Sequence, residues 1–84
     1  MQRWKARVEV SLKPGHVDPE GETTCQSLRD LAYPVRSVAV SKIYTIMLEA
    51  KAKADAESQI KEICQRLLAN PTKDDFTYQV AETK

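Results

Sequence analysis

The chain has 84 residues, 42% of them hydrophobic and 30% charged, with 13 basic against 12 acidic side chains and a formal net charge of +1. That length supports one domain, residues 1–84, whose core buries little more than ~60% of the surface its unfolded form exposes. The near-neutral balance argues against a dedicated nucleic-acid or membrane-surface binder; with no apolar run near the ~20 residues of a membrane span and no signal-peptide pattern, a cytoplasmic location is expected.

Trp4, Ala6, Val8, Val10 and Leu12 alternate with Lys5, Arg7, Glu9, Ser11 and Lys13. Period-two alternation of this kind predicts a half-buried strand, which Lys13-Pro14-Gly15-His16 ends in a loop. Asp18-Pro19-Glu20 reads as a helix start: an N-cap acceptor, proline at the first helical position and an acid in the first turn. Gly21 within that turn weakens the helix, so packing must offset it. Cys25, Leu28, Leu31 and Ala32 form the apolar stripe of this helix, and Tyr33-Pro34 stops it.

Val35 to Ala50 follows without Gly, Pro, Asn or Asp, rich in Val, Ile and Tyr. It predicts a strand much longer than usual, ~50 Å at ~3.3 Å per residue. Val38, Val40, Tyr44, Ile46 and Leu48 share one parity; Val35, Ala39, Ile43 and Met47 share the other. The second half is therefore apolar on both faces, and part of the ribbon has no partner of matching length in its own chain. Unpaired edges need cover, so self-association as a dimer or tetramer is expected, with Lys42, Ile43, Tyr44, Ile46 and Met47 as candidate partner-interface residues. Residues 51–69 then carry a helical stripe of Ala56, Ile60, Ile63, Cys64, Leu67 and Leu68, ended by Asn70-Pro71. A last strand, Phe76 to Val80, precedes a short polar tail. The order β-α-β-α-β, with helices on one face of a small sheet, predicts an α+β two-layer sandwich related to the ferredoxin-like class, with a long middle strand.

Little in this pattern carries chemistry. His16, the lone histidine, sits in a loop with no orienting partner indicated by spacing. Asp18, Glu20 and Glu22 cluster where a helix dipole already accounts for them. Cys25 and Cys64 fall on apolar helix faces and read as reduced core thiols; with His16 they lack the paired spacing of a metal site. No phosphate loop, nucleophile elbow or zinc-protease pattern occurs, and the aromatic RNA-binding motif is missing. No catalytic, cofactor-binding or metal residue is expected in this chain. A stand-alone regulatory domain that binds a small molecule at an oligomer interface remains an alternative that composition does not discriminate.

Three stretches together carry a resemblance: K-P-G-x-x-D-P-E-G from Lys13 to Gly21, V-x-V-x-K from Val38 to Lys42, and C-x-x-L-L-A-N-P from Cys64 to Pro71. In this order, over roughly residues 5–80, the chain resembles the PurS family, the small subunits of phosphoribosylformylglycinamidine synthase in de novo purine synthesis. The resemblance implies a complex that uses ATP, magnesium and glutamine to convert formylglycinamide ribonucleotide to its amidine. It also implies two partners: a large synthetase subunit, and a glutaminase subunit whose own cysteine releases ammonia. The small subunit, an oligomer without catalytic residues, would join them and help ammonia pass. Three positions depart from the family pattern: His16 replaces an aliphatic residue, Ser41 a glycine before Lys42, and Tyr33-Pro34 a Gly-Tyr helix exit.

Overall fold

The computed structural model describes residues 1–83. Three strands form one antiparallel sheet in the order β2-β1-β3, with β1 (Gln2–Leu12) central, β2 (Lys42–Ala50) on one edge and β3 (Asp74–Thr83) on the other. The alternation in β1 dictates this arrangement. Trp4, Ala6, Val8 and Val10 are buried on one face while Arg3, Lys5, Arg7 and Glu9 stay exposed. Register places Ala6 between Ile46 and Val80, and Val8 between Tyr44 and Tyr78, so all three strands turn their apolar side to the same layer. The Trp4 indole N–H donates to the Ala50 carbonyl at 3.1 Å, satisfying the one polar atom of a buried aromatic and pinning the end of β2.

Helix α2 (Lys53–Ile63) covers that layer with Ala56, Ile60 and, in the turn that follows, Cys64. The expected stripe runs on to Leu67, but residues Cys64–Leu68 form a π turn, with the Ala69 N–H donating to the Cys64 carbonyl. The wider turn holds one extra residue and shifts the helical phase. Leu67 is thereby rotated outward to 80% exposure while Ala69 is buried.

Helix α1 (Pro19–Asp30) begins as its residues predict. The Asp18 side chain accepts from the Gly21 N–H at 2.9 Å, and Pro19 opens the first turn. Its exit is a Schellman motif: the Tyr33 N–H donates to the Leu28 carbonyl and the Ala32 N–H to the Arg29 carbonyl. Ala32 occupies the left-handed position (φ 71°) that glycine usually fills.

Two expectations need correction. The middle strand pairs only from Lys42 to Ala50, because the ladder with β1 ends at Val10↔Lys42. The preceding residues, 35–41, leave β1 and run beside α1 instead. The two helices also do not share the sheet: no α1 residue joins the buried core cluster. Gly21 and Cys25 are its buried residues, and Leu31 is 68% exposed. Helix α1 and residues 33–41 thus form an arm beyond the end of the sheet. The Cα radius of gyration is accordingly 16.6 Å, against about 12 Å for a compact chain of this length.

Candidate subunit interface

Strand β2 lies at a sheet edge, so among the described residues its outward backbone groups have no ladder partner. The five candidate interface residues all belong to it but do not share a face. Ile43 and Met47, 44% and 60% exposed, point away from α2, in register with Glu9 and Lys5 of β1. Tyr44 and Ile46 point toward α2 and pack half-buried against the core cluster. Lys42 stands exposed at the start of β2, where it lines a cleft of about 200 Å³ with Ser11, Asp18, Val40 and Lys73. This cleft separates the end of the sheet from the arm.

The arm is held to itself by polar contacts that the sequence does not announce. Both Asp18 oxygens are used: Oδ1 caps α1 through the Gly21 N–H, and Oδ2 accepts the Val40 N–H at 2.9 Å. These two backbone donors, Gly21 first, hold the Asp18 carboxyl below its ordinary value. The Arg29 guanidinium spans the other end, donating to the carbonyls of Val35 (2.9 Å) and Arg36 (2.8 Å). Ser41 Oγ donates to Glu9 Oε2 at 2.8 Å, joining the arm to the sheet. Asp18 thus carries a second, long-range role beside the helix cap; its pairing with Val40 spans 22 positions and leaves no local signal.

The remaining candidates for chemistry are dispersed. His16 is exposed in the loop after Gly15. Cys25 and Cys64 are free, buried thiols, and burial pushes the Cys64 thiol up. A raised thiol is mostly protonated at neutral pH and is poorly suited to nucleophilic attack. Among the described residues, no group of three His, Cys, Asp or Glu is placed to hold a metal ion, and no helix is long and apolar enough to cross a membrane. What the geometry offers is an edge strand with apolar groups on both faces and a projecting arm.

Comparison with known proteins gives this arrangement its context. A family model described as PurS, phosphoribosylformylglycinamidine (FGAM) synthase, matches residues 5–82. The phosphoribosylformylglycinamidine synthase subunit PurS of Archaeoglobus fulgidus is 45% identical over 67 residues, covering 79% of this chain and 84% of that protein. The corresponding Bacillus subtilis subunit is 35% identical over 80 residues, 94% of each. Among solved structures, Methanocaldococcus jannaschii PurS superposes with a TM-score of 0.85 at 30% identity, over 96% of this chain and 99% of that one. A chain in the structure of PurLQS from Thermotoga maritima superposes with a TM-score of 0.84 at 31% identity, over 99% and 100%. With sequence and fold agreeing along nearly its whole length, the chain belongs to the PurS family of phosphoribosylformylglycinamidine synthase subunits.

Proposed function

We propose that this chain is the non-catalytic bridging subunit of a glutamine-dependent, ATP-using phosphoribosylformylglycinamidine synthase, coupling a glutaminase subunit to a synthetase subunit so that ammonia passes between them. The observation that carries this reading is the end-to-end match to a chain of the Thermotoga maritima PurLQS assembly. The shape supports it: an elongated body, 52 × 29 × 14 Å, gives a small chain reach between two larger neighbours. Ammonia is mostly protonated in neutral water and escapes into it, so transfer between active sites gains from a shielded path. The edge strand with Ile43 and Met47 on one face and Tyr44 and Ile46 on the other suits contact with a second copy and with the larger subunits, Lys42 lying at its margin.

The test is product formation by the synthetase and glutaminase subunits with and without this chain, supplying either glutamine or free ammonia. Coupling predicts that glutamine-driven turnover requires the chain while ammonia-driven turnover persists without it. Indifference of both reactions would refute the proposal and favour the small-molecule regulatory alternative.

A further inference from the structure

We propose that the arm, α1 with residues 33–41, swings as one rigid body on the sheet, and that the hydrogen bond from Ser41 Oγ to Glu9 Oε2 is the latch holding it in the observed position. The use made of this swing rests on the bridging role proposed above; the swing itself does not. Its first warrant is the stiffness of the arm. Near the start of α1, Asp18 accepts the Val40 N–H and the Val38 carbonyl packs onto Gly21. Near its end, Arg29 donates to the carbonyls of Val35 and Arg36. The extended segment is thus fastened to the helix at both ends, and the two move together or break those contacts.

The joint between arm and sheet is weak by comparison. The chain crosses it twice, through the loop from Lys13 to Val17 and at the step from Ser41 to Lys42, where the ladder with β1 ends. Gly15 in that loop has φ 90° and open space where a Cβ would stand, so no neighbour restrains it. No arm residue belongs to the core cluster. Without shared apolar packing the two bodies are not cemented together, and few buried contacts mark the parts of a fold that move most readily. Clefts flank the joint instead. The one of about 200 Å³ lies on the α2 side, between Val10, Leu68 and Val40. A second, of about 330 Å³, opens beside Glu9 on the other side and reaches from His16 to Val38 and Ala39. The arm therefore has room to move either way.

Among the described residues, the Ser41–Glu9 contact at 2.8 Å is the one side-chain hydrogen bond across the joint. Both residues are exposed, so water competes for the bond and opening it costs little. At ~1.5 Å per residue α1 is ~18 Å long, so a swing of ~15° moves its far end by ~5 Å. A bridging subunit with such a joint can follow a change of angle between two larger neighbours without repacking its core.

Residual dipolar couplings of the backbone amides, measured on the full chain in a stretched gel, read the mobility of each body separately and cover the μs–ms range of hinge motion. Couplings from α1 and from the sheet should each fit the geometry of their own element, with a smaller alignment magnitude for α1. Ser41→Ala should lower the α1 magnitude further, whereas Glu9→Gln, which keeps an acceptor oxygen, should leave it near the wild-type value. Equal magnitudes for α1 and the sheet, in the wild type and in Ser41→Ala alike, would overturn the swing. So would α1 couplings that fit no single helix, the mark of fraying within the arm. A reduced α1 magnitude that Ser41→Ala leaves unchanged would overturn the latch. No partner subunit takes part in the measurement, so the hinge and the bridging role fail separately.

Discussion

Gly21→Ala sets two physical effects against each other inside α1. Helix propensity alone favours alanine by ~1 kcal/mol at a helical position. The tertiary structure opposes it, because a Cβ at Gly21 would overlap the Val38 carbonyl oxygen and lie 2.8 Å from Asp18 Oδ2 and 3.0 Å from Asp18 Cγ. Restoring ordinary contact requires the Val38 carbonyl to withdraw by about 1 Å. The Val40 N–H, two residues on, would then leave hydrogen-bonding range of Asp18, which it now meets at 2.9 Å. Overpacking of this kind costs ~1–3 kcal/mol, so the net change should be a loss of about 1 kcal/mol in arm stability. Because α1 contributes nothing to the core cluster, the loss should be local. Native-state hydrogen exchange separates the cases: protection of the Val40 amide should fall about fivefold, 1.4 kcal/mol being a factor of ten, while the Val8 amide in the central strand stays protected. Unchanged or increased protection at Val40 would show that propensity wins and that the Gly21–Val38 contact is not restrictive.

Ala32→Gly should stabilise the exit of α1 by about 0.5–1 kcal/mol, since a left-handed backbone costs alanine ~1–2 kcal/mol that glycine avoids; exchange of the Tyr33 amide, bonded to Leu28, reads the gain. Ile60→Ala removes a fully buried side chain under the sheet and should cost ~2–5 kcal/mol, seen in urea denaturation as a lower midpoint at unchanged slope. The lowered Asp18 pKa has a definite sign: its stabilisation of the arm is full above the ordinary carboxylate value of 3.8 and is lost as pH falls through the lower folded value. The Val40 amide shift should follow that acid transition, and Asp18→Asn should abolish it; a shift that titrates unchanged in the variant would assign the transition to another group.

Asp18 and Gly21 show how far local patterns reach. The cap, the proline and the acidic first turn mark the start of α1 to the residue, yet the same aspartate also clasps Val40, and the glycine that looks like a weakness admits the Val38 carbonyl. The stripe of α2 was legible through Cys64; one extra residue in the π turn then moved Leu67 outside it. The five candidate interface residues were legible as one strand and, by parity, as two faces; which of those faces turns toward α2 was not.

The sequence by itself determined what short-range periodicity and capping chemistry control: the β-α-β-α-β order, the inward face of β1, the helix starts and stops, and the motifs that carry the family resemblance. Only the tertiary structure decided where the long apolar run divides. Residues 35–50 are strand-forming throughout, and although the first half is small or polar on one face and the second is apolar on both, that difference does not say which part pairs with β1 and which follows α1. The division falls at Lys42 because the ladder to β1 ends at Val10, and because Asp18 and Arg29 offer the backbone beyond it other hydrogen-bond partners. Those are contacts between residues far apart in sequence, whose geometry exists only once the sheet and α1 are in place.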